Sequence, residues 1–316
     1  MRRIPPWLLL GLTLLVASGC AWFPLLSPPT PTPTPPPTPT PAPTPTPYPT
    51  PYGVLTAPGV PTATSTPEPP DTGWQLLQPG VEVRQVRVET GTAAERLAIV
   101  RLNPATVRFR VHYDPVVPRT VSGWAEHLQS LLVVNGGYFT PENETTGLLI
   151  SEGRAWGTPY GEFAGMFAVS PSPAGAEVVS VRWLRDWPYD PAEPLLEALQ
   201  SFPVLVKPGG VMGFPADADD GRPARRSVVA QDLQGRILII VAPRGYLSLH
   251  ELARFLAESD LDLNVALNLD GGFSTGLWLK AGDPALSAVS TPPGVLTASV
   301  LTADSLVPVP SVISVY

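Results

Sequence analysis

Two segments interrupt apolar strands with residues suited to holding a ligand. The first is Val133-Val134-Asn135-Gly136-Gly137-Tyr138-Phe139, where an apolar run passes into Asn-Gly-Gly and two aromatic residues. The second is Ala266-Leu267-Asn268-Leu269-Asp270-Gly271-Gly272-Phe273-Ser274-Thr275, where an apolar run ends in a carboxylate, paired glycines and hydroxyls. Glycine pairs at strand ends admit positive φ and let backbone N–H groups approach a ligand closely. Asp270, at the carboxyl end of its strand, is placed to face a crevice rather than the core. Either segment alone fits a hairpin turn, because Asn-Gly and Asp-Gly are favoured two-residue turns. Two of them in one chain, both flanked by strands of buried type, point to a shared site.

Other chemistries fail on their spacing. Gly272-Phe273-Ser274-Thr275-Gly276 fits the G-x-S-x-G nucleophile elbow, but that arrangement needs a histidine after the serine. The three histidines are His112, His127 and His250, all before it, and each reads as structural or solvated. The chain has no H-E-x-x-H, P-loop or G-x-G-x-x-G pattern. Asp217-Ala218-Asp219-Asp220-Gly221 is close to a calcium loop, yet its glycine falls one position early and no glutamate closes it. It reads as an exposed acidic loop.

The elements that must position the two segments are mostly short strands. Val81–Val88, Arg96–Leu102, Thr106–Tyr113, Phe163–Ser170 and Glu177–Leu184 are β-branched and roughly alternating. Leu131–Asn135, Arg236–Ala242, Leu263–Leu269 and Val312–Val315 read as further strands. Helices are expected over Val121–Ser130 and Ala192–Gln200. A third starts at Ser248-Leu249-His250-Glu251, a capping box with Leu247 and Leu252 as its staple. There Leu249, Leu252, Ala253 and Leu256 fall on one apolar face. Many strands with three modest helices predict a single α+β domain with a mixed, mostly antiparallel β-sheet.

Composition divides the chain. Of 43 prolines, 22 lie in residues 1–70, and no charged residue occurs between Arg3 and Glu68. Three parts are expected: a signal peptide over 1–19, Cys20 with a Pro/Thr-rich linker to residue 70, and a folded body over 71–316. The repeated Thr-Pro units can build neither helix nor sheet, so a disordered polyproline-type stalk is expected. The body carries 18 Lys and Arg against 26 Asp and Glu, a net of −8. That balance argues against nucleic acid as a partner, since phosphate backbones need a basic face. It leaves room for one arginine gripping a small phosphate. Cys20 is the only cysteine, so no internal disulfide or cysteine-based zinc site exists. Arg2 and Arg3, the apolar run Trp7–Ser18 and then Ala17-Ser18-Gly19-Cys20 resemble a bacterial lipoprotein signal. The resemblance implies lipidation of Cys20 and a body that is extracytoplasmic and membrane-anchored.

Five motifs occur in order along the body: Asn135–Phe139, Gln200-Ser201-Phe202-Pro203-Val204-Leu205-Val206, Arg226-Ser227-Val228-Val229-Ala230, Leu269–Thr275 and Val309–Val315. Together they resemble the phosphodiester glycosidase family, over roughly Leu97–Tyr316. Phe273 stands where that pattern usually has a third glycine. The resemblance implies a hydrolase that breaks the anomeric C–O bond of a sugar-1-phosphodiester, in a cell-envelope glycan or glycolipid. Phosphate is a good leaving group, so such chemistry needs a clamp for its charge and a carboxylate near the anomeric carbon. Arg226 is implied as the clamp, because guanidinium matches phosphate oxygens in a fork. Asp270 is implied as nucleophile, as base for water, or as ligand of a divalent cation, although the sequence requires no cofactor. Asn135 joins them as a catalytic candidate. Gly136, Gly137, Tyr138, Gly271, Gly272, Ser274 and Thr275 are the implied substrate contacts. Gln200 either joins these or caps its helix. The alternative is a catalytically silent glycan-binding module on a stalk.

Overall fold

Alternating apolar residues build strands here, and the strands sort into three sheets. The computed structural model describes residues 69–91, 93–280 and 302–316. The expected signal, Cys20 and nearly all of the Pro/Thr tract lie outside them.

The largest sheet has eight strands in the order β1 (Gln75–Gln78), β2 (Val81–Thr90), β3 (Ala93–Leu102), β14 (Ile237–Ala242), β13 (Arg226–Asp232), β15 (Leu263–Asn268), β11 (Val204–Lys207) and β12 (Val211–Met212). A five-stranded sheet runs β7 (Arg154–Trp156), β6 (Leu149–Ser151), β10 (Glu197–Ser201), β8 (Gly165–Pro171) and β9 (Glu177–Trp183). A four-stranded sheet runs β16 (Leu277–Leu279), β5 (Leu132–Asn135), β17 (Ser311–Val315) and β4 (Phe109–Tyr113). The expectation of a mostly antiparallel architecture holds. Every ladder between these strands is antiparallel.

One core joins all three sheets, with Val100, Ile239 and Leu267 meeting Phe167 and Leu199 and also Phe109, Val134 and Ile313. The outer face of the large sheet packs under helix α2 (Leu249–Glu258) through Leu252, Ala253 and Leu256. The capping box is present, as Ser248 Oγ accepts from Glu251 N and Glu251 Oε2 accepts from Ser248 N. Helix α1 (Val121–Leu128) covers the four-stranded sheet through Val121, Trp124 and Ala125. Among the described residues no helix is long and apolar enough to cross a membrane.

Two expectations need correction. Ala192–Gln200 is no helix: residues 190–195 turn, and Glu197–Ser201 forms β10 between β6 and β8. Pro194 inside the segment removes a helical donor, and a strand buried on both faces shows no alternation to read. The strand expected from Thr106 begins at Phe109, because Asn103 folds the chain back through Ala105 N and Thr106 N.

Candidate active site

Strands β5, β13 and β15 bring the two glycine segments together. β5 ends in Asn135, and the backbone beyond β15 meets it: Asp270 N donates to Gly136 O at 3.2 Å. The Asn135 side chain is fully buried and wholly used within the protein. Its Nδ2 donates to Asp270 O at 2.8 Å and to Gly136 O at 3.3 Å. Its Oδ1 accepts from Ser227 Oγ at 2.6 Å and from Gly276 N at 3.1 Å. One amide therefore ties β5 to β13 and to both ends of the 270–276 loop.

The Asp270 carboxylate is held by Gly271 N at 2.8 Å and by the Ser274 hydroxyl. Burial pushes its pKa above the ordinary carboxylate value, and those two hydrogen bonds pull back only partly. The loop then runs past two arginines, with Gly272 N donating to Arg225 O at 2.9 Å. Arg225 is tethered, its Nη2 donating to Thr275 O and Asp304 O at 2.8 Å each. Arg226 is half-buried, and among the described residues its guanidinium donates to Arg222 O alone, at 3.1 Å. Among the described residues it has no ion-pair partner, and burial lowers its pKa, opposed by the charges of Asp219 and Asp220. A guanidinium half out of water without a carboxylate is costly alone and receptive to an anion.

Tyr138 senses both Asp270 and Arg226. Burial pushes its phenol far above the ordinary range, so the hydroxyl stays neutral. It donates to Phe202 O at 3.1 Å and accepts from Asn268 Nδ2 at 2.9 Å. Asn268 was absent from the expected site, although an amide inside the apolar run Ala266–Leu269 is the signal that marks it. It is fully buried, and among the described residues its Oδ1 has no partner. Among the same residues, Arg225 Nε, Arg226 Nε and Thr275 Oγ1 are also buried without partners, in or beside the Asp270 loop. Unpaired buried polar atoms are rare in native proteins and need a reason. Four of the eight such atoms among the described residues belong to side chains around the Asp270 loop, and the others to Gln75, Ser130, Ser201 and Asp219.

The glycines divide into two groups. A methyl on Gly136 would come within 2.3 Å of Ser311 Oγ and 2.9 Å of Ser311 O, and one on Gly137 within 3.1 Å of Gln200 O. Both positions are closed by the protein's own strands. A methyl on Gly271 would come within 3.0 Å of Arg225 O. Gly272 has φ +64° with open space around it, so the turn itself selects glycine there. Ser274 and Thr275 are buried. Gln200 caps no helix: its Oε1 accepts from Leu148 N and Tyr160 N at 3.0 Å each, which pins two loops to β10.

The remaining candidates sit elsewhere. His112 stacks on Trp124, and His250 Nδ1 meets Phe214 O at 3.1 Å. In the acidic loop Asp217 and Asp220 are exposed, but Asp219 is half-buried and accepts from His250 N, tying the loop to α2. Among the described residues no group of three or more His, Cys, Asp or Glu side chains converges on a possible cation site.

Comparison with known proteins adds to this geometry. A family model described as phosphodiester glycosidase matches residues 129–315. A crystal structure of a hypothetical protein from Synechocystis superposes with a TM-score of 0.50 at 16% identity, covering 75% of this chain and 62% of that one. This chain thus spans about three fifths of that protein's length. The zebrafish N-acetylglucosamine-1-phosphodiester alpha-N-acetylglucosaminidase catalytic domain, auto-inhibited by its pro-peptide, superposes with a TM-score of 0.51 at 18% identity. That match covers 75% of this chain and 82% of the zebrafish one. No curated protein matches.

Proposed function

Because the chain belongs to the phosphodiester glycosidase family, we propose that it hydrolyses a sugar-1-phosphodiester at the anomeric C–O bond, with Asp270 and Arg226 at the reaction centre. The observation that carries this reading is Arg226, a half-buried guanidinium without an ion-pair partner among the described residues, beside the loop that holds Asp270. Ionised Asp270 either takes a proton from the water that attacks the anomeric carbon, or attacks that carbon itself to form a glycosyl ester that water then opens at the same carbon. The C–O bonding pair leaves with the phosphate, whose charge Arg226 receives. Tethered Arg225 reinforces the positive field, and a fixed field aimed at developing charge needs no reorganisation during reaction. Asn135 and Gln200 serve as positioning residues, since their amides are occupied by the protein. Ser274 holds the carboxylate.

The same reading makes the protein an exported lipoprotein anchored through Cys20 and acting on a cell-envelope glycan or glycolipid. It rests on the basic start, the apolar run and Ala17-Ser18-Gly19-Cys20.

The test is turnover of a sugar-1-phosphodiester beside the matching glycoside without phosphate. Asp270→Asn and Arg226→Ala should each lower kcat by about 10²–10³ with the fold intact. Asp270 acts ionised and its pKa is raised, so kcat/KM should rise with pH through a limb above the ordinary carboxylate value of 3.8. That limb should vanish in Asp270→Asn. Near-normal turnover in Asp270→Asn, or equal turnover of the glycoside without phosphate, would sink the reading.

A further inference from the structure

Beside Asp270 the chain builds an aromatic wall of four rings from three separate segments. Phe163 and Phe202 stack with ring centroids 5.3 Å apart and planes 8° apart. Tyr138 leans on both, at 5.5 Å and 5.7 Å, and Tyr160 meets Phe163 edge-on at 5.0 Å. The wall has a wet side: Phe202 is 40% exposed and Tyr160 44% exposed, while Phe163 at 6% is the buried backing.

Polar groups hold these rings in place. Asn268 Nδ2 bonds the Tyr138 hydroxyl at 2.9 Å and Phe202 O at 3.1 Å, fixing two rings from a residue two positions before Asp270. Gln200 fixes the other two, with Oε1 accepting from Tyr160 N at 3.0 Å and Nε2 donating to Phe163 O at 3.4 Å. An apolar surface beside the Asp270 carboxylate and the Arg226 guanidinium suits a ligand that is apolar on its face and polar at its rim. A sugar ring has that form, with C–H bonds on its faces and hydroxyls around its edge.

We propose that Tyr138, Phe202 and Tyr160, backed by Phe163, form the subsite for the sugar ring, stacking its C–H face. The wall then sets which sugars enter, and the phosphate lies on the Arg226 side. This rests on the hydrolase reading for the identity of Asp270 as the carboxylate at the anomeric carbon.

The test measures binding of three kinds of probe to the folded body by calorimetric titration: a panel of free hexoses and N-acetylhexosamines, inorganic phosphate, and octyl phosphate. Phe202→Leu keeps bulk and removes the ring, and Tyr160→Ala removes an exposed ring that lies outside the core; circular dichroism checks each fold. Each should raise the Kd of the best-bound sugar roughly three- to tenfold, the worth of one aromatic contact, and leave phosphate affinity unchanged. Arg226→Ala should do the reverse. Unchanged sugar affinity in both aromatic variants would overturn the proposal, as would no sugar binding at all. Weaker binding of octyl phosphate with sugar affinity intact would also overturn it, by assigning the wall to an apolar aglycone. Ring-dependent sugar binding by a protein that turns over no phosphodiester would sustain the subsite and sink the hydrolase. Phosphodiester turnover with ring-independent sugar affinity would do the opposite.

Discussion

Truncating Asn135 to alanine should damage this protein more than any exposed polar change, and the structure says by how much. The amide holds three partners at 3.1 Å or less: Asp270 O, Ser227 Oγ and Gly276 N. Asn135 and Ser227 are fully buried. Asn135→Ala strands all three, and each orphaned buried group costs roughly 1–3 kcal/mol. Partial relaxation and entry of water reduce the sum to about 3–5 kcal/mol, a large share of the ~5–15 kcal/mol that keeps a domain folded. Ser227→Ala removes a single hydroxyl and leaves Asn135 Oδ1 bonded to Gly276 N, so about 1 kcal/mol is expected. Urea denaturation of the body, with slopes equal across variants, reads both values. Folded Asn135→Ala should also lose turnover, because the Asp270 carbonyl loses its tether. If Asn135→Ala costs no more than Ser227→Ala, the amide is not the junction argued here.

Two further outcomes follow from buried and terminal groups. Glu197 sits between β4 and β6, accepting from Val111 N at 3.1 Å and Glu152 N at 3.3 Å, and burial pushes its pKa up from 4.5 to about 7. The folded state therefore keeps a proton that the unfolded chain releases, so this group's contribution to stability falls as pH rises from about 4.5 to about 7 and is level above. Melting temperatures of Glu197→Gln and the parent, compared across that window, should show the variant gaining relative stability with pH; a constant difference would contradict the assignment. Cys20→Ala should abolish lipid labelling and release the protein from the membrane fraction or leave it as an unprocessed precursor, and unchanged labelling would refute the anchor.

Much of the frame was legible because it rests on local chemistry. The capping box fixes the start of α2 from Ser248 and Glu251, and the run Ile237–Ala242 is buried throughout as β14. The two glycine segments announced themselves by breaking apolar strands, and they do meet, through Asp270 N and Gly136 O. What stayed hidden depends on distant partners. β10 is a central strand whose residues are buried on both faces, so its apolar spacing mimics a helix and Gln200 looked like a cap. Asn268 is one amide in an apolar run, and its partners lie 130 and 66 residues away in sequence. Asp219 looked like its exposed neighbours until α2 packed beside it. Gly136 and Gly137 read as openings for a ligand, whereas strands β17 and β10 fill the space beside them.

If water attacks the sugar carbon and phosphate leaves intact, isotope tracing separates this route from attack at phosphorus. A sugar-1-phosphodiester is hydrolysed by the purified body in water enriched in heavy oxygen, and both products are weighed by mass spectrometry. Cleavage of the anomeric C–O bond, assisted by Asp270 with Arg226 on the phosphate, places the heavy oxygen in the released sugar and none in the phosphomonoester. Heavy oxygen in the phosphomonoester would mean attack at phosphorus, and the glycosidase account would be wrong.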